Sequence, residues 1–489
     1  EEPPDATPPD TAPAEEPSDA AGQDVPPPEE PDGSPWTPDP ELGRAMDELL
    51  GAIELKGASV GIFALEYPSG RIVYQHRAEE AMKPASVAKV LTAAAFLERF
   101  GPDHRFTTTL AGDGTSLWLV GGGDPGLGRK QLSDMAAAVK AAGVEQVQRV
   151  YVDAGLYDAE DLPPHYATKK TDEWYRASVG AAAAEEGAVT VRVTPGKRVG
   201  GGVLVELIPA SDYFLVDSNA VTTEEDRGDL EVRVREARGG RAGIHVTGSL
   251  PMESKGAGFR KRVPSPNLLA GWLLIAELRK AGVRVEEREP LVGRMPEGTP
   301  ALHTHRSHRV QADLSRMLRD SNNFVAEQLA KMLGSECTPR TWECSLEHMR
   351  DLVRRIGLRG ERFRLENGSG LYDANRLSPR QLVRFLLEAY NRSRIAGALD
   401  KAMAVSGESG TLLRRLKEVK GRVHGKTGTL DGVTCLAGRA SLSQGRQLWF
   451  AILFNDAKGS APALRRLQDR MLLALMGEWR PGTATKRSK

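Results

Sequence analysis

The sequence predicts a mixed α/β fold of the α+β type, in which helices flank an antiparallel sheet and a long insertion interrupts the chain. Amphipathic helical runs occur early and in the middle of the chain, and three strand-like runs joined by short turns occur near its end. Between them the hydrophobic pattern changes twice, which indicates two nested inserted domains. A chain of 489 residues with 40% hydrophobic content allows about three domains.

The first helical run carries a serine and a lysine in one turn. Pro84 favours the start of a helix and Gly101-Pro102 its end, which predicts a helix over about residues 85 to 100. Ser86 lies in the first turn, where free backbone N–H groups favour negative charge, and Lys89 shares its face. A lysine can take the proton of a serine hydroxyl when burial and nearby cations lower its pKa. Ser86 and Lys89 are therefore a candidate nucleophile and base, although in isolation such a pair is more often a helix cap and a solvated lysine.

Two changes of pattern follow and define the inserted domains. Helical and strand-like runs alternate after a glycine-rich stretch, and four short strand-like runs then follow one another with glycine-rich turns. A helical run near residues 268–280 follows the second insert and leads back into the first inserted domain. The predicted divisions are a Pro-rich acidic tether (1–42), a discontinuous catalytic domain (43–110 and 305–480), a first inserted α/β domain (111–187 and 263–304), a second, β-rich inserted domain (188–262) and a tail (481–489).

Two further short strings lie in the carboxyl-terminal half. Ser321-Asn322-Asn323 separates two amphipathic runs and predicts a corner between helices, although these residue types also suit ordinary turns and caps. Runs over 422–430, 433–442 and 447–455 predict an antiparallel meander. Its first strand carries Lys426-Thr427-Gly428-Thr429, where the missing side chain of Gly428 allows a backbone or ligand to approach. Lys426 is the predicted cation beside Lys89.

The three strings match the Ser-x-x-Lys, Ser-x-Asn and Lys-Thr-Gly set of penicillin-recognising enzymes, in the same order. Over residues 43–480 the chain resembles the class C low-molecular-mass penicillin-binding proteins, which are D-alanyl-D-alanine carboxypeptidases and endopeptidases of peptidoglycan. Members of that family carry two inserted domains between the first two motifs. Further matching segments are Lys83-Pro84-Ala85-Ser86, Leu119 to Pro125, Glu366 to Leu371, Asn375 to Ser378 and Ser406 to Leu412.

The resemblance implies a serine-type DD-peptidase mechanism without metal or organic cofactor. Ser86 would attack the carbonyl of the penultimate D-alanine, with the N–H groups of Ser86 and Thr429 as the oxyanion hole. Ser321 would relay the proton to the departing amine, and Lys426 belongs to the same catalytic set. Asn323 would hold a substrate amide. Because a β-lactam mimics the dipeptide, the resemblance also implies a long-lived penicilloyl ester on Ser86.

Substrate binding is implied for a second group of residues. Thr427, Gly428 and Thr429, with Lys426, would bind the terminal carboxylate of a peptidoglycan peptide ending in D-Ala-D-Ala, since charge-assisted hydrogen bonds to an anion are strong. In the family, a carboxylate of the first insert helps to bind the amino group of the peptide. Asp172 is the nearest candidate for that role.

Charge and composition bear on location and partners. Residues 1–40 contain 13 prolines and 12 of the chain's 66 acidic residues but none of its 66 basic ones, so we expect a disordered tether and a basic folded body. Such a body favours peripheral or tethered association with an anionic envelope. The start at Glu1 without methionine suggests a removed signal peptide and an exported protein of the periplasm or cell envelope. Neutral overall charge and the absence of a phosphate loop disfavour nucleic acid.

Several points stay open at this level. The sequence does not decide whether Cys337 and Cys344 form a disulfide or remain free thiols. Cys435 is expected to be a buried thiol. The histidines within 303–308 suit structural roles better than metal binding. One alternative function is a serine β-lactamase, which the long insertion and Ser321-Asn322-Asn323 argue against. Another is a catalytically silent wall-binding scaffold, which the intact motifs disfavour. Carboxypeptidase and endopeptidase preference, oligomeric state and lipid anchoring are undecided.

Overall fold

The computed structural model describes residues 37–169, 171–176, 178–224 and 228–479. The predicted tail, and the predicted tether up to residue 36, lie outside these ranges. Residues 40–42, which we assigned to the tether, instead begin a helix whose first turn is capped by the Asp39 carboxylate. Within the described ranges, no helix has both the length and the apolar character needed to cross a bilayer.

The helices and strands of the described residues are numbered along the chain. The helices are α1 (Pro40–Leu50), α2 (Lys89–Phe100), α3 (Arg129–Ala141), α4 (Pro266–Lys280), α5 (Gln311–Leu318), α6 (Asn323–Met332), α7 (Trp342–Val353), α8 (Pro379–Tyr390), α9 (Ser393–Ala402) and α10 (Ala461–Leu475). The strands are β1 (Ser59–Tyr67), β2 (Ile72–His76), β3 (Thr107–Gly112), β4 (Ser116–Val120), β5 (Gln146–Val147), β6 (Arg149–Asp153), β7 (Ala188–Thr194), β8 (Leu204–Ile208), β9 (Phe214–Ser218), β10 (Val221–Thr223), β11 (Glu231–Glu236), β12 (Ala242–Thr247), β13 (Ser249–Pro251), β14 (Ala257–Arg262), β15 (Arg284–Val285), β16 (Leu291–Val292), β17 (Ala301–Arg306), β18 (Ala404–Val405), β19 (Val423–Leu430), β20 (Val433–Ser441) and β21 (Gln447–Asn455).

The catalytic region is built on a six-stranded antiparallel sheet in the order β18-β19-β20-β21-β1-β2. The predicted meander is confirmed as β19 to β21, and β1 joins it by pairing along the whole of β21. The seven central residues of β1 are buried because helices cover both faces of the sheet. Helices α2 and α5 to α9 pack on one face, and α1 and α10 pack on the other.

Helix α2 lies in the centre of the helical layer, and its residues from Lys89 to Leu97 are all buried. The predicted helix over 85 to 100 is confirmed, except that its first turn, Ala85–Ala88, is a 3-10 helix. The helix ends at Gly101, whose φ of 77° lies in the region that glycine adopts without strain. The nucleophile candidate therefore lies in the turn that leads into α2, a helix whose residues up to Leu97 are buried.

The first insert contains a mixed five-stranded sheet in the order β16-β6-β4-β3-β17. This sheet extends a few residues beyond the predicted borders, since β3 begins at Thr107 and β17 ends at Arg306. The second insert carries two three-stranded sheets, β14-β7-β8 and β11-β12-β9. One continuous hydrophobic cluster contains residues of both inserts, such as Leu119 and Ile244. The two inserts therefore share one core.

The cysteines have distinct structural roles. Cys337 and Cys344 form a disulfide that closes the loop leading into α7, which answers the question left open by the sequence. Cys435 is a buried thiol on β20, as predicted. Its Sγ donates to the backbone carbonyl of Lys83 at 3.4 Å, just before the nucleophile turn.

Candidate active site

The turn that carries Ser86 is held in an uncommon conformation. Ala85 has a φ of 46°, in a region that non-glycine residues rarely adopt. This conformation costs free energy, so it persists only where the surrounding structure enforces it. The Asn455 side chain on β21 provides part of that enforcement. It accepts from the Lys83 N–H at 2.7 Å and donates to the Lys83 carbonyl at 3.1 Å. The sheet thus fixes the approach to Ser86.

Lys89 lies directly beneath the serine hydroxyl. Its Nζ is 2.8 Å from Ser86 Oγ, 2.6 Å from Asn323 Oδ1 and 2.8 Å from the Ser369 carbonyl oxygen. Burial and the nearby Lys426 lower the pKa of Lys89 well below its usual value, against an opposing effect of Glu327. The predicted influence of Lys426 is confirmed. A neutral amine at this distance can accept the proton of Ser86.

The second motif forms the predicted corner between helices. Ser321 lies between α5 and α6 with a φ of 62°, and the Asn322 side chain caps α6 by accepting from the Val325 N–H. This leaves the side chain of Asn323, the first residue of α6, directed at Lys89. Its Oδ1 accepts from Lys89, and its Nδ2 donates to the Tyr175 carbonyl at 2.9 Å.

The third motif lies on β19 and brings Lys426 and two threonine hydroxyls to the side of the site formed by the sheet. Lys426 is buried, and its Nζ donates to Ser321 Oγ at 2.9 Å and to the Thr427 carbonyl at 2.7 Å. Burial lowers its pKa to about 7. The hydroxyl of Thr427 donates to Thr411 Oγ1 at 2.8 Å, and that of Thr429 accepts from Arg465 at 3.2 Å. Both hydroxyls and a cation therefore line one strand beside Ser86.

Gly428 lies where β19 passes closest to the nucleophile turn. A Cβ at this position would be 2.9 Å from both the Ala85 Cβ and the Pro84 carbonyl, and 3.0 Å from the Ser86 backbone nitrogen. Since real Cβ atoms do not approach so closely, any side chain must displace the turn. The prediction of a close approach at Gly428 is confirmed, and the approaching group is the backbone of the nucleophile.

We expect Gly428→Ala to lower the rate constant of acylation by penicillin by about 10- to 100-fold, since small displacements of a reacting group are costly. Intact-mass spectrometry over time measures this rate. Gly258→Ala is the matched control, because Gly258 also lies in a strand but has open space around its Cβ position. Equal acylation rates for the two variants would contradict the close approach described above.

The structure separates one predicted site residue from the others. Ser86, Lys89 and Asn323 are hydrogen bonded together, and Lys426 is hydrogen bonded to Ser321. The Asp172 carboxylate instead bonds Lys261 at 3.0 Å and the Val234 N–H at 2.7 Å, both in the second insert. These contacts give Asp172 a structural role between the inserts. Its contact with substrate stays a prediction.

Three residues at the site were not predicted to act there. Glu327 on α6, Tyr166 of the first insert and Ser369 in the loop before α8 form a buried hydrogen-bonded group next to Lys89. The signal for Glu327 was a charged residue within an apolar helical run, one turn after Asn323. Ser369 lies within a segment already noted for its resemblance to the family. No sequence signal distinguished Tyr166 from other aromatic residues.

A polar stripe on α6 joins the catalytic region to the first insert. Besides the Asn323 contact with Tyr175, the Gln328 side chain donates to the Gly180 carbonyl at 2.7 Å, and Lys331 Nζ is 2.5 Å from Asp158 Oδ1. Tyr166 bonds Glu327 between these contacts. Each of these buried side chains therefore makes at least one of its hydrogen bonds to the insert. The members of the stripe are Asn323, Glu327, Gln328 and Lys331.

The chain is similar in sequence to known proteins over most of its length. The profile of the D-Ala-D-Ala carboxypeptidase 3 (S13) family matches residues 42–475. The chain is 32% identical to a D-alanyl-D-alanine carboxypeptidase of an Actinomadura species over 447 residues, covering 86% of this chain and 82% of the relative. It is 26% identical to carboxypeptidase DacB of Mycolicibacterium smegmatis over 412 residues, covering 80% and 75% of the two chains.

The fold has a close counterpart among solved structures. The crystal structure of penicillin binding protein 4 (dacB) from Haemophilus influenzae matches with a TM-score of 0.77 at 21% identity. The match covers 88% of this chain and 99% of that one. It shows that the sheet, the helical layer and the inserts are arranged as in the penicillin-recognising serine enzymes. Among the described residues, no group of three or more His, Cys, Asp or Glu side chains is arranged to hold a metal ion.

Proposed function

Because this chain belongs to the D-Ala-D-Ala carboxypeptidase 3 (S13) family, it is a serine-type D-alanyl-D-alanine carboxypeptidase/endopeptidase of the class C penicillin-binding proteins, and we propose that Ser86 carries its acyl-enzyme. The observation that carries this assignment is the contact of 2.8 Å between Lys89 Nζ and Ser86 Oγ. It joins a hydroxyl nucleophile to a buried amine with a lowered pKa.

Acylation begins when Ser86 Oγ attacks the carbonyl carbon of the penultimate D-alanine. The Ser86 O–H bond breaks, its proton goes to Lys89 Nζ, and a bond forms between Oγ and the carbonyl carbon. The backbone N–H groups of Ser86 and Thr429 stabilise the resulting oxyanion. The close approach of Gly428 to the Ser86 nitrogen supports this pairing, because it brings the two backbone segments together.

The scissile C–N bond breaks when the leaving amine receives a proton. Ser321 is suited to relay to the amine the proton that Lys89 took from Ser86, since its hydroxyl is bonded to Lys426 at the edge of the site, and both Ser321 and Lys89 then return to their starting protonation states. Water next attacks the ester carbonyl and gives up one proton through Lys89 to Ser86 Oγ as the ester C–O bond breaks, so the acyl group leaves as a carboxylic acid. Asn323 holds an amide group of the substrate while it also orients Lys89. The chemistry is complete with these side chains and water.

Recognition of the terminal carboxylate falls to Lys426, Thr427 and Thr429. The pKa of Lys426 is lowered to about 7, so its ammonium is present at lower pH and is lost as the pH rises through that value. Attraction of the substrate carboxylate depends on the charged form. The free enzyme therefore loses affinity for the substrate carboxylate above about pH 7. In a plot of kcat/KM against pH, the rising limb reports the loss of a proton from Lys89.

We expect kcat/KM for D-alanine release from a stem peptide to fall as the pH rises through about 7, because kcat/KM reports groups of the free enzyme. Lys426→Arg should move this falling limb to higher pH, since arginine keeps its charge. A peptide amidated at its C-terminus should react about 100-fold more slowly and without the falling limb. An unchanged limb in Lys426→Arg, or equal cleavage of the amidated peptide, would contradict the assignment.

Substrates and location follow from the same proposal. Peptidoglycan peptides ending in D-Ala-D-Ala are the substrates, and cross-links with a D-alanine carbonyl at the scissile bond suit the same site. β-Lactams acylate Ser86 as covalent inhibitors. The protein acts outside the cytoplasm, in the periplasm or cell envelope, where a basic body is attracted to anionic wall polymers. We also propose that Asp172, whose carboxylate bonds Lys261 and the Val234 N–H, binds the amino group of the peptide.

A further inference from the structure

Glu327 is the centre of a buried network behind the catalytic lysine. Its side chain is inaccessible to solvent and lies one helical turn after Asn323 on α6. One carboxylate oxygen accepts from the Gly368 N–H at 2.9 Å. The other accepts from the Ser369 N–H at 2.8 Å and from the Tyr166 hydroxyl at 2.9 Å. These contacts join the helix, the loop before α8 and the first insert.

The pattern of donors fits an ionised carboxylate. Two of the three partners are backbone N–H groups, which can donate but cannot accept, and Tyr166 can donate its single hydroxyl proton to Glu327 while it accepts from Ser369 Oγ. Burial raises the pKa of Glu327 above its usual value, and the hydrogen bonds from Ser369, Gly368 and Tyr166 oppose this effect by favouring the charged form. Burial and the charge of Lys426 oppose the charged form of Lys89, whereas Glu327 favours it, and Tyr166 of the insert bonds Glu327. On α6, Lys331 is paired with Asp158.

The same network fixes the loop that contacts Lys89. Glu327 holds the N–H groups of Gly368 and Ser369, and the carbonyl of Ser369 accepts from Lys89 Nζ at 2.8 Å. Thr92 on α2 adds a bond of 2.6 Å to the Gly368 carbonyl. Gly370, with a φ of 76°, packs so closely on the nucleophile turn that a Cβ would overlap the Ala85 carbonyl. The loop therefore has little freedom to move away from Lys89.

We propose that Glu327, held by Tyr166 of the first insert, is the positioning residue that fixes Lys89 beneath Ser86 and supplies the counter-charge for the ammonium formed during acylation. The inference rests on the proposed role of Lys89 as base. When the Ser86 proton moves to Lys89, a cation forms in a buried site beside Lys426, and a fixed anion stabilises it. Glu327 itself neither gains nor loses a proton. Through Tyr166, the insert becomes part of the catalytic machinery.

The test is the pH profile of the second-order rate constant for acylation by penicillin, followed by intact mass. Removing the anion in Glu327→Gln lowers the pKa of Lys89, so a larger fraction is neutral at low pH. The rising limb should move to lower pH by about one unit, and the plateau should fall about 10- to 100-fold because the ammonium is no longer stabilised. Glu327→Asp keeps the charge at a changed distance, so its plateau should fall while its limb stays in place.

Two tyrosine variants test the link to the insert. Tyr166→Phe removes one donor to Glu327 and should lower the plateau about 5- to 10-fold, as expected for a hydrogen bond to a charged group. Tyr157→Phe is the matched control, because Tyr157 is also a buried tyrosine that packs on α6, with its hydroxyl 3.5 Å from the Gln328 carbonyl and not at Glu327. Its acylation rate should stay within about twofold of the wild type.

The outcomes separate this inference from the proposed function. Failure of wild-type Ser86 to acylate would remove the proposed function itself. With normal wild-type acylation, an unmoved rising limb in folded Glu327→Gln would overturn the role of Glu327 as counter-charge, since a purely structural role lowers the plateau without moving the limb. If Glu327→Gln does not fold, the Tyr166→Phe variant decides. An acylation rate constant about 5- to 10-fold below that of the wild type supports the inference, and a rate constant within about twofold of the wild type overturns it.

Discussion

We expect Ser86→Ala to abolish D-alanine release from a stem peptide, with kcat reduced on the order of 10⁴-fold or more, because the variant lacks the covalent nucleophile. The reason is geometric, because Ser86 Oγ lies 2.8 Å from the amine of Lys89 at the start of α2. Chromatographic measurement of free D-alanine follows the reaction.

The other hydroxyls at the site are engaged elsewhere. Ser321 Oγ accepts from Lys426, and Ser369 Oγ is buried and bonded to Tyr166 and the Leu371 N–H. They should not replace the lost nucleophile. Ser443→Ala, in the exposed turn between β20 and β21, is the control and should retain full activity. Substantial D-alanine release by folded Ser86→Ala would contradict the assignment.

We expect Lys89→Met to lower the rate constant of penicillin acylation by about 10³- to 10⁴-fold, which is the upper range of what general base catalysis contributes. Methionine is close to lysine in shape and brings no charge into the buried site, so we expect the variant to fold. Intact mass gives the acylation rate, and urea unfolding gives the free energy of unfolding.

Lys331→Met is the matched control, because Lys331 is also a buried lysine but pairs with Asp158 at 2.5 Å. We expect it to lose about 2 to 4 kcal/mol of unfolding free energy, since the Asp158 carboxylate loses its partner, and to keep its acylation rate per folded molecule. A Lys89→Met variant that acylates normally, or a Lys331→Met variant that loses acylation without losing stability, would contradict these separate roles.

The sequence predicted the parts of the site that depend on local order. The helix around Ser86, the corner at Ser321-Asn322-Asn323 and the meander that carries Lys426 each follow from hydrophobic periodicity and turn residues within a short segment. The disulfide could not be decided in this way, because pairing depends on where the loop before α7 brings Cys337 and Cys344.

Contacts between distant segments that carry none of the three motifs could not be predicted. The pairing of β1 with β21 joins the two ends of the catalytic region, and local pattern carries no information about that partner. The contact of Tyr166 with Glu327 depends on how the first insert packs on α6. Asp172 illustrates the same point, since the sequence suggested a substrate ligand and the structure shows its carboxylate bonded to Lys261.

The most direct measurement for the central claim is a time course of intact mass after penicillin is added to the wild-type protein, followed by peptide mapping of the adduct. The account predicts one penicilloyl group, attached to Ser86, that persists for minutes or longer. An adduct on any other residue, or no adduct on folded protein, would contradict the claim that Ser86 is the nucleophile. Rapid turnover with hydrolysis of the drug would instead identify a β-lactamase.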